Sequence, residues 1–164
     1  MTSRIPSLGP RGEGWVLLQV ACFWLMAAAI ASGPHDSGGD PTAAGTRQIL
    51  GYTVGTIGAV LIGSGISELR RARAMTVLPQ PRPDGELVER GPYRFIRHPI
   101  YGGLILGALG LAVITPWAGT FAAVALLTIV LDLKRRREET WLAERYTGYA
   151  AYRTRTKALI PFLY

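Results

Sequence analysis

Two short polar stretches hold the residue types that could do chemistry, and both stand beside long apolar runs. The first is Arg97-His98-Pro99, within GPYRFIRHPIYGG at 91–103. Pro92 and Pro99 fix φ, and Pro99 pushes His98 out of the α region, so the chain must turn at His98 before a helix begins. Pro99 suits the first turn of that helix, where its missing N–H costs nothing. Arg97 and His98 then stand at a helix N-terminus, where free N–H groups and two cationic side chains favour a carboxylate or a phosphate. The same residues could equally act as a basic anchor at a membrane surface. The second stretch is KRRREETWLAERYTGYAAY at 134–152, in which Glu138 and Glu139 follow four consecutive cations. On a free surface helix those glutamates would be ordinary partners of Lys134 and Arg135. Here they directly follow an apolar segment and must lie near the same interface as Arg97-His98.

The elements that position these stretches are apolar. No Lys, Arg, Asp or Glu occurs in 14–35, 48–67 or 98–131, although 18% of the 164 residues are charged. A soluble helix needs polar residues every turn on its wet face, so such stretches point to lipid. Four transmembrane segments are expected, at about 15–31, 49–67, 100–115 and 117–133. The first, with Arg4 and Arg11 ahead of it, also has the look of a signal peptide. Its length and the three segments after it favour a retained helix. Segment 33–46, rich in Gly, Pro and Asp, is expected to be a loop, and His35 within it receives no role. Gly51 and Gly55 form a GxxxG pair, and Gly103, Gly107 and Gly110 give the third helix a small-residue face. Only Pro116 separates the last two segments, which predicts a tight hairpin. Beyond it, Trp141, Leu142, Arg145, Tyr146, Tyr149 and Tyr152 recur as on one face of an amphipathic helix.

The charge balance narrows the partners. The net charge of +7 lies mainly in 70–97 and 134–157, beside apolar segments, which suits anionic lipid headgroups and not nucleic acid. Lys and Arg number two before the first segment, one in the first loop, seven in 68–99 and eight in the tail. The positive-inside rule then puts both termini and the 68–99 connection in the cytoplasm. The single cysteine, Cys22, excludes an internal disulfide framework.

The stretch GPYRFIRHPIYGG, followed after two apolar segments by REE, then RY..Y..Y and Ile160-Pro161, resembles the isoprenylcysteine carboxyl methyltransferase family. More broadly it is similar to the membrane methyltransferases that include phospholipid N-methyltransferases. The resemblance covers about residues 45–164, and it departs at Thr147, where a glycine often follows the aromatic. It implies S-adenosylmethionine held between the start of the third helix and the polar helix after the fourth. Arg97, His98, Tyr101, Glu138 and Glu139 fall on the cofactor-site positions, and no metal is implied. The ligand's carboxylate would suit Arg97 or His98, and its ammonium a glutamate. Methyl transfer gains mainly from positioning and desolvation, so no dedicated catalytic residue is assigned.

The expected protein is therefore all-α, a single domain over 1–164, built as an integral membrane bundle of about four helices. A C-terminal amphipathic helix lies at the cytoplasmic interface, and the cofactor segments are 91–103 and 134–161. The expected function is methyl transfer from S-adenosylmethionine to a lipophilic acceptor from the bilayer: a carboxylate, a thiol or a lipid headgroup. A nicotinamide-dependent reductase of a membrane lipid is one alternative, since a related motif recurs in much longer sterol reductases. A non-catalytic membrane subunit is another.

Overall fold

The computed structural model of the protein describes residues 5–34 and 41–159. His35 and the Ile160-Pro161 pair lie outside the described residues. Those residues form α1 (Glu13–Ser32), α2 (Pro41–Arg71), α3 (Pro99–Ile114), α4 (Ala118–Arg145) and α5 (Tyr149–Arg155), with a 3₁₀ turn at Gly91–Arg94. The expected all-helical architecture holds among them. Two helices, Glu13–Ser32 and Thr42–Arg71, are long and apolar enough to cross a membrane. The third, α3, is apolar but has 16 residues, and α4 is apolar only in its first half.

Two boundaries differ from the sequence expectation. Residues 41–46 are helical, so α2 starts earlier than a loop over 33–46 would allow. Proline is well placed at a first helical position, and the alanines after it propagate the helix. The stretch after residue 133 is not a separate amphipathic helix either. α4 continues to Arg145, 28 residues in all, about 42 Å at 1.5 Å per residue. Between Lys134 and Arg145 stand good helix formers without Gly or Pro, so nothing local interrupts the hydrogen-bond ladder. The break comes at Tyr146-Thr147-Gly148, so Tyr149 and Tyr152 ride on α5 and not on the helix of Trp141.

Packing also assigns the glycines differently. α3 forms the expected antiparallel hairpin with α4, and Thr120 Oγ1 donates to the Thr115 carbonyl across its turn, 2.8 Å. The glycine face of α3, however, packs on α2. A methyl group at Gly110 would come within 2.5 Å of the Gly51 carbonyl, and one at Gly103 within 2.6 Å of the Gly58 carbonyl. Gly107 faces open space, although Gly58 sits against its backbone. The contacts run Gly51 to Gly110, Gly58 to Gly103 and Gly65 to Pro99 and Ile100, so α2 and α3 are antiparallel. On the other side α1 packs along α4, through a core of Cys22, Met26, Ala108, Ala123, Leu127, Val130 and Leu131. Lys134 meets Gln19 near the start of α1, and Trp117 Nε1 donates to the Ala29 carbonyl near its end, so this pair is antiparallel too. One end of the bundle therefore gathers the start of α1, the end of α2, the start of α3 and the polar half of α4.

Candidate functional site

The site forms where α3 begins. His98 is the residue before the helix, with φ −127° and ψ 61°, and Pro99 stands in the first turn, as its ring requires. The C-terminal tail straps this turn in place. Arg97 N–H donates to the Lys157 carbonyl at 2.8 Å, His98 N–H to Ala158 at 3.1 Å, and Lys157 N–H to Phe95 at 3.0 Å. Tyr152 adds a hydroxyl bond to the Tyr93 carbonyl, 2.8 Å. The hairpin then returns the polar half of α4 to the same place. All five sequence-expected residues meet there, across about forty residues of chain.

They meet mainly by pairing with one another. Arg97 Nε donates to Glu139 Oε1 at 2.9 Å, and His98 Nε2 lies 3.2 Å from the same oxygen. Arg135 approaches that oxygen at 3.5 Å, and Arg153 the other at 3.8 Å. Glu139 is thus a buried carboxylate ringed by cationic side chains. Burial pushes its carboxyl up, but the hydrogen bonds and charges of His98 and Arg97 outweigh burial and hold it at about 2. Glu138 faces the other way. It accepts the Tyr101 hydroxyl at 2.7 Å and lies 3.9 Å from His98 Nδ1. The His98 and Tyr101 rings stack 5.4 Å apart, 8° from parallel.

A cavity of about 80 Å³ opens beside Glu138. His98, Arg97, Glu138, Leu142 and Tyr93, Tyr146, Tyr149 and Tyr152 line it, and the 72–90 connection closes it. Burial pushes the phenols of Tyr93, Tyr149 and Tyr152 up, so all three remain neutral. The Tyr149 hydroxyl is buried and has no hydrogen-bond partner among the described residues. Such an orphan is rare and calls for a polar group beside it. Two carboxylates, Glu86 and Glu138, one orphan hydroxyl and several aromatic faces suit a ligand carrying a cation and an aromatic ring. S-adenosylmethionine has both, so the residues fit it.

Some site residues carry no motif. Lys134 is buried, donates to Gln19 Oε1 at 2.7 Å and lies 5.2 Å from the Tyr101 ring centroid. Its signal was available in Gln19, an amide inside the otherwise apolar α1, since polar groups in such helices usually face a partner. Thr156 and Arg153 hold Arg97 through backbone carbonyls, which no side-chain pattern reveals.

The chain is 31% identical to a cobalt-zinc-cadmium resistance protein (CzcN) of Cupriavidus metallidurans, over 72% of the chain and 49% of the relative. It is also 31% identical to a nickel-cobalt-cadmium resistance protein (NccN) of Alcaligenes xylosoxydans xylosoxydans, over 72% and 50%. The chain thus aligns with about half the length of each. The family model for phospholipid methyltransferase matches residues 46–148, from α2 through the end of α4, and the match contains Arg97-His98, Tyr101 and Glu138-Glu139. The chain belongs to the phospholipid methyltransferase family, a family of membrane methyltransferases.

Proposed function

We propose that the protein transfers the methyl group of S-adenosylmethionine to a lipophilic acceptor at the cytoplasmic face of a membrane crossed by α1 to α4. The observation that carries this is the orphan Tyr149 hydroxyl, on a residue that lines the same aromatic cavity as Glu138 at the start of α3. S-adenosylmethionine, when bound, supplies an electrophilic methyl group on a sulfonium. Glu138 would accept from its ammonium, the Tyr149 hydroxyl would donate to its carboxylate, and the tyrosine faces would shield the positive centre. His98 and Tyr101 orient Glu138 through the stack and the hydroxyl bond, while Arg97 and Glu139 fix the turn that carries His98. The apolar walls exclude water, which strengthens each of these contacts and prevents loss of the methyl group to solvent. Pockets for ligands of this size usually hold about 300 Å³ or more, so the 72–90 connection must open to admit it.

The names of the two relatives tie those proteins to resistance to cobalt, zinc, cadmium and nickel. For this chain we take that as a setting for methyl transfer and assign no metal ligand. Among the described residues no three His, Cys, Asp or Glu side chains gather as a metal site.

Calorimetric titration of the purified chain with S-adenosylmethionine tests the reading directly. Tyr149→Phe, which removes only the orphan hydroxyl, should weaken binding by about tenfold and leave the unfolding midpoint unchanged. No binding by the native chain, or equal affinity for the variant, would defeat this assignment. Titration with a nicotinamide dinucleotide separates the reductase alternative.

A further inference from the structure

A second concavity lies on the other side of Arg97, open to solvent and about 560 Å³ in volume. Arg97 lines both spaces, but Glu138 lines only the tyrosine cavity and Glu139 only this groove. Its other charged walls are Arg135 and Arg136 from α4, with Arg153 and Lys157 from the tail. Among the described residues five cations thus line the groove with one carboxylate, and Asp132 pairs with Arg135 and Arg136. Arg135 is buried, whereas Arg136 and Arg153 stand half exposed at the mouth. Among the described lining residues, positive side chains outnumber negative ones.

We propose that this groove takes the phosphate of an anionic phospholipid headgroup, at a site separate from the methyl donor. Its depth argues for lipid. Arg135 and Arg136 come two and three residues after Leu133, the last residue of the apolar segment, some 3–5 Å along the helix. The opposite wall is tied to 95–98, just before α3 enters its own apolar run at Ile100. Both walls therefore sit where an apolar layer gives way to headgroups. Arginine forks match the paired oxygens of a phosphodiester. A net-anionic lipid is favoured over a zwitterionic one, because the carboxylate that could meet a headgroup cation, Glu139, is already ringed by cationic side chains.

The proposal does not depend on methyl transfer, and lipid binding alone reads it out. The full chain is placed in phosphatidylcholine nanodiscs carrying spin-labelled phosphatidylglycerol or spin-labelled phosphatidylcholine, and the immobilised fraction of each is compared. The native chain should prefer phosphatidylglycerol, and Arg136→Gln/Arg153→Gln should weaken that binding by roughly ten- to thirtyfold. Arg136→Lys/Arg153→Lys should keep most of it. Arg70→Gln/Arg73→Gln, which removes equal charge from the same end of the molecule, should keep all of it. An unchanged melting midpoint for the glutamine pair shows that the groove is lost without the fold. Equal retention of the two lipids overturns the proposal. So does an equal loss in both glutamine pairs, or full displacement by millimolar inorganic phosphate, which would assign the groove to a soluble anion.

Discussion

Glu138 and Glu139 are neighbours in the chain, yet their surroundings give them different work. Glu139 pairs with the nearly buried Arg97, so Glu139→Gln should leave that guanidinium without its carboxylate and cost about 3–5 kcal/mol, while Arg135 keeps Asp132. Thermal unfolding in detergent should show a clear drop in midpoint. Glu138 accepts the Tyr101 hydroxyl, lies 3.9 Å from His98 Nδ1 and opens on the cavity. Glu138→Gln should therefore leave the midpoint nearly unchanged while weakening S-adenosylmethionine binding by roughly ten- to a hundredfold. Glu144→Gln, on the exposed face of α4, should alter neither; equal affinities for the two variants would remove Glu138 from the site. The depressed carboxyl of Glu139 also sets a pH dependence. Folded, it titrates at about 2, but unfolded it titrates near 4.3. Below the higher value the unfolded chain takes up a proton that the folded chain refuses, so stability falls as pH drops from about 4 to about 2. Above that window the contribution, on the order of 3 kcal/mol, is fully present. Unfolding midpoints measured from pH 6 downward should show this loss in the native chain and not in Glu139→Gln. From the sequence the two glutamates are equivalent, because which one faces the cavity depends on the rotation of α4. That rotation is set by packing against α1 and α3, which no local pattern encodes.

Among the elements, the α3 glycines show how far composition can be read. A small-residue face on α3 is visible from the spacing of Gly103, Gly107 and Gly110, but the helix it meets is not. The tight turn at Pro116 draws attention to α4, whereas the close backbone approach is to α2, through Gly51 and Gly58. Glycines favour the partner with matching small residues, and α2 has them where α4 has Leu127, Val130 and Leu131. Gly103→Leu should force the backbones apart and cost about 1–3 kcal/mol or more, while Gly107→Leu should be tolerated because its side chain meets open space. At about 2–4 °C per kcal/mol for a chain of this size, the melting midpoints of the two variants should differ by several degrees. Identical midpoints would mean that α2 and α3 do not touch through these glycines. The full length of α4, to Arg145, is not legible in the sequence. The switch from apolar to charged residues at Lys134 reads as an element boundary, but polarity marks where a helix leaves lipid and not where its hydrogen bonds stop.

At the scale of the molecule, charge and packing give independent accounts of orientation. Seven of the Lys and Arg residues lie in 68–99 and eight in the tail, and one lies between the first two apolar segments. Packing brings the basic segments to one end. Gly12 lies against Pro79, Lys134 against Gln19 and Val77, and the tail against 95–98. The turn at 115–117 lies at the opposite end, against the close of α1. If all four helices cross the bilayer, the positive-inside rule and this arrangement agree on both termini facing the cytoplasm. The difficult member is α3, whose 16 residues reach about 24 Å against a hydrocarbon layer of about 30 Å. Its shortness is compensated at the N-terminal end, where Arg97 and His98 are held by Glu139 and need no direct contact with water. A shallow start for α3 would place the proposed methyl-transfer site within the interface, where a lipophilic acceptor and a water-soluble donor can both arrive. Compartment reporters fused at Gly38, which lies outside the described residues, and after Tyr164 should therefore report opposite sides. A third reporter inserted at Gly85, in the 72–90 connection, should agree with the C-terminal one. Reporters at Gly38 and Tyr164 on the same side would leave an even number of crossings, two or none, in the α2 to α4 stretch. The convergence of Arg97, His98, Glu138 and Glu139 could then no longer be at a cytoplasmic surface by virtue of four spans.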